Sequence, residues 1–423
     1  MKRRLLALTA IGVAGALSLS ACSSSSTGSG SGSTGGNVTI KLLAADYGTA
    51  GTSNSTQSYW QGLADTFHKS HPNITVQVQT IAWTNWAQVA TMIQDKQYPD
   101  ILEGDAPQQF AADGLLYKLT DVMSANTVSN LIPVFAKQED GTDGTAYGAP
   151  FTTSARGLFY NKKLFAAAKI ANPPKTWADI QADATKIKAL GGGNIGYGLP
   201  LGPEEAQGES YLWMLGNGGG YVDSTGKYAI NQPANIETFN FLNTLIKSGA
   251  TEPGPASTNR QQMWDAFSAG QVGMVGGSGA LIPDIVKNGK LTTSDYGVVP
   301  MPGKSAPLTQ TLGVHDDVVA FKQAGHADQI KQFLDFVYSD ANQISFDQEY
   351  DLLPATTSAS AALSAKDPVA AGFLQNVPNS VVYPSNTNWN TVLAKLKQTL
   401  GTAASDNASS VLGSLQTFAT SNQ

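Results

Sequence analysis

Beyond residue 36 the chain alternates between short apolar runs with a two-residue rhythm and longer runs with a helical one. Val38-Thr39-Ile40-Lys41-Leu42-Leu43 is rich in β-branched and aliphatic side chains and predicts a strand. Tyr59, Leu63 and Phe67 then recur at helical spacing, until His71-Pro72-Asn73 ends the pattern. Ile74, Val76 and Val78 alternate as a second strand. Trp86, Val89, Ala90 and Ile93 predict a helix from Asn85, which leads through Pro99 to a third strand at Asp100-Ile101-Leu102. Strand, helix, strand, helix, strand is the pattern of a parallel α/β sheet. The middle of the chain is rich in helix, with turns at Gly191–Gly193 and Gly218–Gly220. Strands return at Val272–Val275, Tyr296–Val299 and Val318–Phe321, and a helix is expected from His326 to Tyr338. Two α/β units whose strands return late predict two lobes, with the chain crossing between them more than once.

The first residues follow another pattern. Lys2, Arg3 and Arg4 precede an apolar stretch from Leu5 to Leu19, about 15 residues, where a membrane span takes roughly 20. The stretch closes on Leu19-Ser20-Ala21-Cys22, which resembles the lipobox of bacterial lipoproteins. That resemblance implies cleavage after residue 21 and a lipid on the Cys22 sulfur. Cys22 is the only cysteine, so no internal disulfide is available. Residues 22–36 are almost all Ser, Gly and Thr, a composition that cannot build a core and predicts a tether. A body of about 390 residues follows, too long for one core. Without residues 1–21 the formal charge moves from −6 to −9, because 23 Lys and Arg remain against 32 Asp and Glu. Nucleic acid, which needs clustered basic surface, is therefore excluded as a partner.

Several markers recur in an order known from one family. They are Phe67-His68-Lys69-Ser70-His71-Pro72-Asn73-Ile74, Pro99-Asp100-Ile101-Leu102, Asp113-Gly114-Leu115-Leu116 and Tyr147-Gly148-Ala149-Pro150-Phe151 up to Leu158-Phe159-Tyr160-Asn161-Lys162. Pro173-Pro174-Lys175-Thr176-Trp177, Ala266-Phe267 through Met274, and Leu353-Pro354 continue the series. In this order the chain resembles the bacterial extracellular solute-binding proteins of the sugar-binding, maltose-binding-like group. The resemblance implies an α/β periplasmic-binding-protein fold of two lobes joined by hinge crossings near 152–157, 300 and 350–355. One lobe would comprise residues 37–152 and 301–350, the other 153–300 and 351–423. It implies a monomer that captures a small carbohydrate, whether sugar, polyol or amino sugar. The ligand then passes to the permease subunits of an ABC importer, and a lipid anchor holds the protein at the outer face of the cell membrane.

Sugar recognition needs aromatic faces for C–H patches and fixed polar groups for hydroxyls, since a buried unpaired hydroxyl costs about 1–3 kcal/mol. Trp60, Trp86, Trp177 and Trp264 share stripes with aliphatic or aromatic residues and are expected in the core. Trp83 follows the second strand, at the carboxyl end where such sheets bind ligands. Trp213 lies near the unusual run Leu199–Ser210. Within that run, Glu204 and Glu205 either face the cleft or form the solvated start of a helix. Ser154 and Arg156 fall on the first crossing, where Arg156 either meets ligand or ties the lobes by an ion pair. Ser278 stands among glycines that open a helix at Ala280, where free N–H groups can hold a hydroxyl. By resemblance, Trp389 matches a sugar-stacking position and Asp105 a hydroxyl-binding carboxylate, while Asp316 or Asp317 corresponds loosely to a third contact.

Catalysis is not expected. Adjacent carboxylates such as Glu204-Glu205 on an extended segment point apart, no nucleophile motif occurs, and no phosphate or dinucleotide loop suggests a cofactor. No metal centre is expected either, since His68 and His71 lack a third ligand. A secreted carbohydrate-active enzyme and a ligand sensor paired with a membrane kinase are the alternatives.

Overall fold

Strand β1, Val38–Asp46, presents Ile40, Leu42 and Ala44 to one apolar cluster and Leu43 to another, so its period-two pattern covers both faces of a sheet. The computed structural model describes residues 36–48, 55–106, 109–384, 386 and 388–421; the expected leader, Cys22 and all of the tether except Gly36 lie outside them. β2, Ile74–Ala82, runs parallel to β1 in register from Val38↔Ile74 to Asp46↔Ala82. The connecting helix Thr56–Ser70 starts at Ser55, whose hydroxyl accepts the Gln57 amide, and buries Trp60, Leu63, Ala64 and Phe67 against the sheet. β3, Ile101–Gly104, lies parallel on the other side of β1. Further along come β4 (Gly148–Ser154), β5 (Gly157–Asn161), β6 (Ile195–Gly198), β7 (Val272–Gly277) and β8 (Tyr296–Val299). β9 (Thr311–Leu312), β10 (Val314–Ala320), β11 (Leu353–Pro354) and β12 (Ser380–Val381) complete the set.

These strands form a six-stranded sheet ordered β11-β4-β10-β3-β1-β2, a four-stranded sheet ordered β6-β7-β5-β8, and a parallel pair β9-β12. In the larger sheet β10 is antiparallel to both β3 and β4. The smaller sheet also has both faces covered. Leu158 and Met274 point into one cluster with Trp177, Trp213 and Phe239; Phe159 and Val275 point into the other with Trp264, Phe267 and Phe373. Asn37–Gln423 constitute one compact unit.

The chain leaves the larger sheet at Ser154 and enters the smaller at Gly157, so Ala155 and Arg156 are the first link. The return corrects the expected one near residue 300. Met301, Leu308 and Leu312 still pack in the core beside the smaller sheet, and the larger sheet is rejoined only at Val314. Leu353 and Pro354, expected in the second lobe, remain hydrogen-bonded to β4 in the larger sheet. The helix expected from Asn85 forms as a 3₁₀ turn, Trp83–Asn85, followed by an α-helix at Gln88–Gln94. The helix expected over 326–338 forms as Ala327–Val337, with Ile330, Phe333, Leu334 and Val337 inward. No helix among the described residues is long and apolar enough to cross a membrane.

Candidate functional site

The carboxyl ends of β1, β2 and β3 and the start of the antiparallel β10 lie at the same edge of the larger sheet, and this edge gathers its polar groups. Tyr47 follows β1, Trp83 follows β2 and Asp105 follows β3, while β10 brings Asp316. The pleat places Asp316 on the same face as Val318 and Ala320, toward Glu103. The Tyr47 Oη lies 2.7 Å from Glu103 Oε1 and 2.9 Å from Asp316 Oδ2, and the Ala45 amide donates to Glu103 Oε2 at 3.2 Å. Glu103 is fully buried, and burial above all pushes its carboxyl well up. Asp316 is likewise pushed up to about 6, chiefly by burial.

Beside this trio stands Trp83, 36% exposed, its ring 5.5 Å from that of Tyr47 and nearly perpendicular to it. Trp86, expected in the core, is only half-buried. It leans on Trp83 with ring centroids 4.9 Å apart and donates its Nε1–H to the Asp105 carbonyl at 3.0 Å. Gly104 makes this possible: its φ is +139°, and a Cβ there would meet the Trp86 ring at 2.4 Å. Asp105 itself is exposed at the rim.

A second set of groups gathers at the first link. Thr311 pins the first link, its Oγ1 donating to the Arg156 carbonyl and accepting from the Arg156 amide, both at 2.8 Å. The Arg156 side chain, 10% exposed, pairs with Glu205 Oε1 at 2.7 Å. The other oxygen of Glu205 is held by Arg260 Nη1, and Arg260 Nη2 reaches Glu204 Oε1 at 3.0 Å. The Arg260 guanidinium also lies 4.7 Å over the Trp264 ring. Burial opposes ionisation of Glu205, but Arg156 and Arg260 outweigh it and hold the carboxyl below its ordinary value. Both expected glutamates are thus engaged by arginine, and the Arg156 pair is made with the second lobe. Half-buried Tyr383 stacks between Tyr211 (6.1 Å) and Trp389 (5.6 Å), and Trp389, 8% exposed, also packs on Tyr221.

Two expected contacts are corrected. Trp213 is wholly buried among Trp177, Tyr197 and Phe241, with its Nε1–H directed at Glu209, so it presents no face to a ligand. Ser278 follows β7 and is only 2% exposed, so it presents little surface to a ligand. Ser154 is half-buried at the end of β4. Trp60, Trp177 and Trp264 are buried in the clusters, in line with their stripes. Tyr47 and Tyr383 escaped the sequence reading. The strand-end rule that singled out Trp83 applies equally to Tyr47, whereas Tyr383 lies in a segment without periodicity. His315, Asp317 and Glu139 also come together here, although Glu139 and His315 are 176 residues apart in sequence.

Beneath this region lie two further buried carboxyls. Glu209 accepts from Tyr197 Oη and Trp213 Nε1, both at 3.3 Å, and Glu252 accepts from the Leu199 amide at 2.9 Å. Burial pushes each up to about 7 despite these bonds. Between the ordinary glutamate value and about 7, the folded chain binds more protons than the unfolded one. The stability these groups contribute is therefore present at the acid end and lost as pH rises through about 7. The thermal midpoint is expected to fall between about pH 5 and about pH 8, and Glu209→Gln to flatten part of that fall in scanning calorimetry. A midpoint that rises over this window would contradict the assignment.

Known proteins frame this geometry. The sequence profile of the family described as bacterial extracellular solute-binding protein matches residues 50–344. A binding protein of Brucella abortus is 28% identical over 325 residues, which is 74% of this chain and 75% of its own length. The sn-glycerol-3-phosphate-binding periplasmic protein of Brucella melitensis is 26% identical over 282 residues, 63% of this chain and 64% of its own. Among solved structures, the cyclic α-maltosyl-1,6-maltose binding protein from Arthrobacter globiformis superposes with a TM-score of 0.77 at 18% identity, over 91% of this chain and 99% of its own. The expected two-lobed periplasmic-binding-protein fold is therefore the one observed. Since the family profile spans well over half of the sequence, the chain belongs to the bacterial extracellular solute-binding proteins.

Proposed function

We propose that the chain captures a small, hydroxyl-rich carbohydrate outside the cell and passes it unaltered to an ABC importer, while held at the membrane through a lipid on Cys22. The observation that carries this reading is the exposed Trp83 ring set beside half-buried Tyr47 and Asp316, with the Tyr47 hydroxyl linking both to the buried Glu103. An aromatic face beside oriented acceptors is what a pyranose or polyol needs, the ring covering C–H groups and the carboxyls taking hydroxyl hydrogens. The Arthrobacter relative is named for a cyclic maltosyl sugar, which agrees with this chemistry. The Brucella melitensis relative is named for glycerol phosphate, but the groups here disfavour a phosphate. Arg156 and Arg260 are already committed to Glu204 and Glu205, so a phosphate finds no uncommitted guanidinium among these groups. The Ser/Gly-rich segment after Cys22 supplies the reach a tethered receptor needs.

A thermal-shift and calorimetric panel of mono- and disaccharides, polyols, amino sugars and sn-glycerol 3-phosphate tests this. A carbohydrate should raise the melting temperature by mass action, and glycerol phosphate should not. Selective stabilisation by glycerol phosphate, or no stabilisation by any carbohydrate of the panel, would sink the proposal.

A further inference from the structure

We propose that Glu139, His315 and Asp317 form a binding site for a divalent transition-metal cation of the Zn²⁺ or Mn²⁺ kind. The site does not depend on the identity of the carbohydrate. On β10 the two-residue period puts His315 and Asp317 on one face and Asp316 on the other, so the chain separates the two neighbouring aspartates into different environments. Glu139 arrives from the turn Lys137–Glu139 and lies over Gly148 of β4. A Cβ at Gly148 would fall 2.4 Å from Glu139 Oε2, so the absent side chain is what admits the carboxylate. The His315 Nε2 is 3.0 Å from Glu139 Oε1 and 3.2 Å from Asp317 Oδ1, and one ligand atom from each residue lies within 4.8 Å of the others. Ligands about 2.0–2.2 Å from a common ion, at angles between octahedral and tetrahedral, are roughly 3.0–3.5 Å apart. Both edges that meet at His315 fall in that range.

Charge and bonding point the same way. Asp317 Oδ1 is closed off from solvent and has no hydrogen-bond partner, because the single Nε2–H cannot align with both carboxylates. The Glu139 and Asp317 carboxylates thus converge on one imidazole nitrogen that has at most a single hydrogen to offer them. A divalent ion with neutral imidazole would balance both carboxylates and give Oδ1 a partner. One imidazole with two carboxylates suits zinc or manganese, whereas calcium takes six to eight oxygens.

The test uses the purified protein after chelation, titrated calorimetrically with Zn²⁺, Mn²⁺, Ca²⁺ and Mg²⁺ in the absence of any carbohydrate. Saturable binding of one Zn²⁺ or Mn²⁺ is expected, with a melting temperature that climbs with the logarithm of metal concentration. Asp317→Asn and Glu139→Gln should each weaken binding at least tenfold, His315→Ala should abolish it, and Trp83→Ala should leave it unchanged. If a variant fails to fold, X-ray absorption on the zinc-loaded wild type decides, since one imidazole among oxygen ligands is expected. No saturable binding, binding indifferent to all three substitutions, or a first shell without imidazole would overturn the proposal. Failure of the carbohydrate panel would leave this result untouched.

Discussion

Replacing Glu205 with Gln should destabilise the folded chain by about 3–5 kcal/mol, the usual cost of leaving one member of a buried ion pair without its partner. Arg156 has no other carboxylate within reach of an ion pair among the described residues, and its side chain is 10% exposed. The substitution keeps volume and shape, so the loss reports charge rather than packing. Arg260 is affected less, because it is 30% exposed and keeps Glu204 and the Trp264 ring. Joint replacement by Arg156→Met and Glu205→Leu should recover most of the loss, as a hydrophobic pair of similar volume avoids the desolvation of two charges. Calorimetric unfolding of the single and double variants checks this. A single variant within about 1 kcal/mol of the parent would mean that water already screens the pair. The pH dependence follows from the direction of the shift. Because Glu205 titrates below its ordinary value, the pair's contribution is complete above that value and is lost only as pH falls through the lowered one.

Trp83→Ala should weaken carbohydrate binding by about 1–3 kcal/mol, roughly fivefold to 150-fold in Kd, with little change in melting temperature. The ring packs on Tyr47 and Trp86 but is the most exposed tryptophan at this edge, so truncation removes a platform rather than a core residue. Trp213→Phe makes the contrast. It should cost stability and spare affinity, since that ring lies wholly inside the protein and its Nε1–H bonds Glu209. Isothermal titration with whichever sugar stabilises the protein separates the two. Equal affinity for parent and Trp83→Ala would move the binding surface away from the larger sheet.

The contrast between these tryptophans also shows what could be read from sequence. Trp83 was legible because it follows a strand of clear alternation, Ile74, Val76 and Val78, and strand ends bind ligands in such sheets. Trp213 was not, because every residue from Ala206 to Met214 is buried, polar Gln207, Glu209 and Ser210 among them, so no apolar stripe marks inside from outside. The Arg156–Glu205 pair joins residues 49 apart through a loop without periodicity, so only the folded chain reveals it. The late return at Val314 was hidden for a related reason. Met301, Leu308 and Leu312 are apolar but irregularly spaced, so nothing in their order assigns them to either sheet. The two sheets themselves follow from short β-rich runs separated by helical ones, and these were the strongest patterns in the chain.

Tyr47 owns one phenolic hydrogen, yet its oxygen bonds two carboxyls. Both contacts can be hydrogen bonds only if one acid supplies a hydrogen of its own, and the buried Glu103 is the natural carrier. A guest hydroxyl joining this trio brings another hydrogen into a shell already furnished with two. Capture should then exchange protons with the surrounding buffer, so that its apparent heat carries a contribution from the buffer's own ionisation.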